Sequence, residues 1–344
     1  MKLACAVIAA ALWAPLLAWS QAYPARPVTI VVPYPPGGLI DIVARFLAPA
    51  LGKELGQSVL VDNRSGAGGN VGAEAVARAA PDGYTVVMAN PSFGISPHLY
   101  AKLSYHPLND FAFVGLYGTV PNVLVVHPSI PASSVPELIA HLRKNPGRLN
   151  YASPGYGTSP QMSMELFKAM TGTFVVHIPF RGSGPAQTAM LANETQLMFD
   201  NLPPQVPHIK SGKVRALAVT SRTRSKAMPE LPTLDEVGLK GYEVTAWFGL
   251  AAPAKTPREI VDKLNQAQNR ATQSAEVREK LGERGADLVQ GTPEQFHAYV
   301  KAEIAKWGPV VKRAGVTVGR RSAAASSRRD VAGDLTAIPG NATM

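Results

Sequence analysis

The sequence predicts an α/β protein of two domains, each a mostly parallel sheet flanked by helices. Three observations carry that expectation. From Val28 onward, β-branched runs alternate with helical apolar patterns, as in βαβ units with right-handed crossovers onto a parallel sheet. Glycine-containing turns that join a strand to a helix recur in both halves of the chain, at residues 33–45 and 153–161. Finally, 344 residues with 46% hydrophobic content exceed the needs of one ordinary core and suit two.

The first segment stands outside the fold. Met1-Lys2 followed by an apolar run over residues 3–19 and the small residues of Ser20-Gln21-Ala22 reads as a cleavable secretory signal over residues 1–22. A membrane anchor is the weaker reading, because the run is short and no basic stop follows it. The single cysteine, Cys5, lies in that segment, so the mature chain has no disulfide, thiol nucleophile or thiolate ligand. The expected location is the periplasm. A formal net charge of +10 favours anionic partners. The basic clusters at residues 222–226, Arg320-Arg321 and Arg328-Arg329 lack interleaved aromatic residues, which argues against nucleic acid.

Val28 to Val32 is a strand; Pro33, Pro35 and Pro36 end it, and Gly37-Gly38 frees the backbone before an apolar helical pattern at Ile40, Val43, Ala44 and Leu47. Bare amides at such a helix start suit a carboxylate or phosphate; the bland alternative is an ordinary βα turn. The helix should run to about Leu55, with a distortion near Ala48 caused by Pro49. A second strand over residues 58–63 leads to the glycines at 66, 68 and 72, whose spacing is wrong for a dinucleotide fingerprint. A third strand, residues 84–89, ends near Ser92, which is either a donor beside Gly37 and Gly38 or the cap of the next helix.

The pattern then repeats. Residues 121–128 read as an apolar strand bracketed by prolines, Ser134 and Glu137 as a capping box, and residues 149–153 as a strand running into Gly155, Gly157, Thr158 and Ser159 before a helix from Gln161. This is a second candidate anion site, with hydroxyls at the helix start. Arg181, after the strand at 174–180, is a candidate carboxylate partner through its planar fork, or else a solvated arginine. Asp200, at the end of the strand over 196–201, is read either as facing the cleft or as capping a helix. A long strand over 242–253 returns to the first half, helices capped at Thr256 and Thr292 follow, and Trp307 is expected in the first domain's core. From Thr317 the periodicity collapses into a tail expected to be disordered.

No G-x-S-x-G, H-E-x-x-H, Walker A or EF-hand pattern occurs, and the histidines lack metal-ligand spacing. No cofactor, no metal and no activated nucleophile is expected. Two anion-friendly loops without a catalytic group favour a binder over an enzyme.

The ordered set PYPPGGLIDIVAR, VDNRSGAGGNVGAEAVARAAPDGYTVVMAN, NYASPGYGTSPQ, FDNLP, RALAVT and AWFGLAAPAKTP resembles the Bug family of extracytoplasmic solute receptors, the substrate-binding components of tripartite tricarboxylate transporters. The resemblance covers roughly residues 23–316. It implies a periplasmic-binding-protein (Venus-flytrap) fold, with domain 1 made of residues 23–122 and 228–316 and domain 2 of 123–227. It also implies a small dicarboxylate, tricarboxylate or aromatic acid held between the loop of Pro36, Gly37 and Gly38 and the loop of Gly155, Gly157 and Thr158. Asp41 matches the family's acidic position and is read as ordering the helix start. Many relatives carry His at the position of Gln161, so a charge-assisted contact is absent here. The expected partners are the acid and the permease subunits of a tripartite transporter, with the receptor a monomer. A sensor kinase partner and, further off, an exported enzyme acting on an organic acid are the alternatives.

Overall fold

The computed structural model describes residues 23–283 and 285–318. The signal segment 1–22 and the tail beyond residue 318 lie outside the described residues. The chain opens with β1 (Val28–Val32), α1 (Leu39–Leu55), β2 (Val59–Asn63), α2 (Asn70–Ala77), β3 (Thr85–Ala89) and α3 (Ser92–Leu99). The parallel pairings β1–β2 and β1–β3 come from these βα units.

A 16-residue strand, β4 (Phe111–Val126), then carries the chain out of the first half of the sheet. The second half holds α4 (Val135–Lys144), β5 (Asn150–Ser153), α5 (Ser159–Thr171), β6 (Val176–Pro179), α6 (Ser183–Leu191), β7 (Leu197–Asn201), α7 (Leu202–Lys210) and β8 (Arg215–Val219). It repeats the parallel arrangement, with β5 between β6 and β7. The chain returns through β9 (Thr245–Pro253) and ends in α8 (Arg258–Gln273), α9 (Ala275–Gly282), a two-residue strand β10 (Asp287–Leu288) and α10 (Pro293–Ala314).

The sheet is more mixed than the parallel expectation, because β4, β8, β9 and β10 pair antiparallel. The path β2-β1-β3-β9-β4-β7-β5-β6 is continuous, and β4 is the strand common to both halves. Up to Pro121 it pairs with β9, and from Asn122 it pairs with β7. The expected strand at 121–128 is therefore only the last part of β4. Pro121 sits inside the strand at the point where the pairing changes partner. Residues 233–244 pack against the second half: Thr233 bridges Val219, and Tyr242 stacks on Phe199.

Three further expectations are corrected. Helix α1 continues through Pro49 with no break. The proline costs about 3 kcal/mol, but Val43, Leu47 and Leu51 are fully buried on the same helix, each worth ~1.5–3 kcal/mol. Thr256 does not cap α8, whose N-cap position is Pro257, whereas Thr292 and Gln295 form a complete capping box on α10. Trp307 is buried with Ile95, Leu99, Met162 and Met164 rather than in the first half's core. Phe296 and Val300, earlier on the same helix, sit with Val31, Val87 and Trp247. Helix α10 thus braces both halves. Among the described residues, no helix is long and apolar enough to cross a membrane.

Candidate functional site

The N-termini of α1, α5, α6 and α7 converge on one cavity between the halves. Gly38 and Leu39 at α1, Thr158 and Ser159 at α5, Gly182 and Ser183 at α6 and Asn201 at α7 all line it. Each helix start contributes partial positive charge and free amides. The N–H groups of Gly38, Leu39, Ser159 and Ser183 have no hydrogen-bond partner among the described residues. The rest of the wall is Tyr34, Pro35, Ile40, Asn90, Pro91, Pro154, Pro160 and Ala246. Among the described residues, no charged side chain lines this cavity. It offers neutral donors at one end and apolar surface around them, which suits an anionic head group on a small organic body.

The first loop is set by Asp41. Its carboxylate accepts from the Gly37 amide (3.0 Å), from Arg45 Nε (3.0 Å) and from Asn63 Nδ2 (2.9 Å). Burial pushes its carboxyl up, but Arg45, the Gly37 amide and Asn63 outweigh burial and hold it below the usual carboxylate value. Asn63 also donates to the Tyr34 carbonyl (2.9 Å), so the end of β2 is tied to the same loop. Pro36 and Gly37 are exposed at the loop tip, and the Gly37 amide is already engaged. The sequence expectation that Gly37 offers its amide to a ligand is therefore replaced: the free amides are one and two residues on, at Gly38 and Leu39.

The second loop follows the same logic. The Gly157 amide donates to Gln161 Oε1 (2.8 Å) and the Gly155 amide to Ser153 Oγ (3.2 Å). Thr158 caps α5 through the Gln161 amide and donates its hydroxyl proton to the Gly155 carbonyl (2.8 Å). Thr158 and Ser159 reach the cavity, Gly155 lines a neighbouring groove, and Gly157 and Gln161 are buried behind the wall. Gln161 thus holds the loop through its neutral acceptor. Its Nε2 has no partner among the described residues.

Asp200 does not face the cleft. It is fully buried beneath the α6 and α7 starts, accepting from Gln187 Nε2 (2.8 Å), the Asn201 amide (2.9 Å), Gln205 Nε2 (3.0 Å) and Ser183 Oγ (3.2 Å). Burial is the dominant influence and pushes its carboxyl up despite these four donors. Ser92 is the first residue of α3 rather than its cap, and its amide donates to Asn90 Oδ1 (3.1 Å). Arg181 lies in the neighbouring groove, outside the cavity.

Several wall and support residues were not singled out in the sequence. Tyr34 places its hydroxyl 3.1 Å from both the Gly68 carbonyl and Asn90 Oδ1, and burial pushes its phenol up. Asn122, on β4 where the pairing changes, accepts from Asn201 Nδ2 (2.6 Å) and donates to Ser163 Oγ (2.8 Å). Asn122 thereby fixes Asn201 at the cavity wall. The halves touch around the cavity. A Cβ on Gly182 would stand 3.2 Å from the Pro35 ring, and one on Gly68 only 2.2 Å from the Tyr156 carbonyl oxygen. Among the described residues, no group of His, Cys, Asp and Glu fits a metal ion.

Comparison with known proteins agrees with this architecture. The profile described as "Tripartite tricarboxylate transporter family receptor" matches residues 43–316. Protein BugT of Bordetella pertussis is 38% identical over 298 residues, covering 86% of this chain and 91% of BugT. Among solved structures, Rpa4515 of R. palustris with adipate superposes with a TM-score of 0.83 at 40% identity, covering 86% of this chain and 99% of that one. MatC (Rpa3494) from Rhodopseudomonas palustris with bound malate gives a TM-score of 0.80 at 35% identity, covering 84% and 100%. The fold is that of a periplasmic binding protein, and the chain belongs to the tripartite tricarboxylate transporter receptor family, the Bug family.

Proposed function

We propose that this protein is a periplasmic receptor that captures a small carboxylate between two domains and delivers it to the permease of a tripartite tricarboxylate-type transporter. One observation carries the reading most: among the described residues, unpaired amides at converging helix starts surround a cavity that no charged side chain lines. Such a site binds an anion through dipoles and neutral donors. The adipate and malate held by two structural relatives support the same class of ligand. The signal segment read at residues 1–22 supports export. In this reading the receptor works as a monomer and has no catalytic role.

The two domains are residues 23–122 with 245–316, and 123–244; the stretch 233–244, assigned from the sequence to the first domain, packs on the second through Thr233 against Val219 and Tyr242 against Phe199. The hinge is where β4 and β9 cross side by side, at Pro121 opposite Thr245. Gly38, Thr158, Ser159 and Ser183 hold the acid. Asp41, Gln161 and Asp200 hold the loops and helix starts that present those donors.

The test is thermal unfolding of the mature protein against a panel of mono-, di- and tricarboxylates and aromatic acids. A ligand at one hundred times its Kd stabilises the folded state by about 2.7 kcal/mol. A narrow set of acids should raise the melting temperature, and mass spectrometry of ligand released from natively purified protein should identify one of them. A flat response to the whole panel refutes the reading.

A further inference from the structure

The cavity has a neighbour. Tyr34, Pro35, Pro154 and Gly182 line both the inner cavity and a groove that also takes in Tyr100, Tyr156, Phe180, Arg181 and the glycine-rich turn at 66–69. The two differ greatly in size. The inner cavity leaves ≈ 40 Å³ in which the centre of a water molecule fits, against ≈ 530 Å³ in the groove. At ~10–15 Å³ per water, the inner space holds about three waters, which is the bulk of a carboxylate group and little more. A ligand anchored there by its carboxylate can place the rest of itself in the groove, which shares four wall residues with the cavity.

The groove differs in chemistry as well as in size. Four aromatic side chains, Tyr34, Tyr100, Tyr156 and Phe180, line it, and Arg181 is the only charged residue that does so among the described residues. Nearby arginines are neutralised: Arg45 pairs with Asp41 and Arg64 with Asp62. Arg181 is exposed and makes no hydrogen bond or ion pair with a described residue. A planar guanidinium without a protein partner, beside aromatic rings, complements a second carboxylate on a ring-bearing body.

We propose that this groove is a second ligand subsite, in which Arg181 binds the distal anionic group and the aromatic rings contact the body between the two ends. The receptor would then select an aromatic diacid over the matching monoacid. This inference rests on the inner cavity holding the first carboxylate, as proposed above.

The test is calorimetric titration of the full mature chain and of Arg181→Gln with terephthalate, 4-methylbenzoate and adipate. The first two share a ring and differ in the second carboxylate; adipate carries two carboxylates without a ring. Wild type should bind terephthalate at least tenfold more tightly than 4-methylbenzoate, and Arg181→Gln should reduce that ratio at least tenfold. Wild-type affinities that are equal, or a ratio unchanged by the substitution, overturn the subsite while leaving the receptor reading intact. Binding of adipate with no binding of terephthalate overturns the aromatic part of the proposal. No heat from wild type with these three or with any acid of the wider panel overturns both proposals.

Discussion

Gly68→Ala tests whether contact between the halves is what completes the site. At Gly68 φ is +66°, and an added Cβ would stand 2.2 Å from the Tyr156 carbonyl oxygen, where ordinary contact begins at 3.4 Å. That oxygen belongs to backbone, so it moves only if the second loop moves. The halves must part at this point by roughly 1 Å. A hydrogen bond from an amide to a carboxylate is worth ~1.5–3 kcal/mol, so losing one weakens binding about tenfold to 150-fold. The comparison variant is Gly56→Ala. Its φ is +70°, but no atom of the described residues lies within 4 Å of the added Cβ. Both variants bear the backbone strain, about 1 kcal/mol, and only one bears the wedge. Both should therefore melt lower than wild type, while calorimetry with the tightest acid of the panel shows the affinity loss in Gly68→Ala alone. Equal affinity in the two variants refutes the argument.

Asp41→Ala releases Gly37, Arg45 and Asn63 together; it should cost ~1–3 kcal/mol, a melting-temperature loss of roughly 2–4 °C per kcal/mol, and weaken acid binding as the first loop loosens. Because Asp41 has a lowered folded pKa, its stabilisation is complete above the ordinary carboxylate value and disappears as pH falls through the lowered one. Scanning calorimetry should show the wild-type advantage over Asp41→Ala shrinking in that acid range. Asp200 has the opposite sign: its raised value means the wild type gains stability relative to Asp200→Asn as pH falls from neutral to about 4, which circular dichroism melts will show as a difference that grows toward acid. Gln161→Leu leaves the Gly157 amide unpaired. It should cost about 1–3 kcal/mol in denaturant titrations and reduce affinity through the second loop.

The order of strands and helices was readable because proline and glycine mark its junctions locally, and both candidate loops lie at such junctions. What those loops do with their own amides is legible in the spacing as well. In each, the side-chain acceptor lies four residues beyond the glycine it holds, Asp41 for Gly37 and Gln161 for Gly157. A side-chain acceptor in the first turn of a helix competes with any ligand for the amide at the loop, so the available donors shift toward the helix start. Asp200 misled because a carboxylate at a strand's end resembles a cleft residue. Its donors come from α6 and α7, and the fate of its charge depends on how those two helices pack. The Asn122–Asn201 contact joins residues 79 positions apart, and no local pattern announces it. The Gly68–Tyr156 approach has no sequence signature either. Local chemistry thus predicts each jaw separately. Closure depends on where their surfaces meet, and Gly68→Ala probes that meeting point.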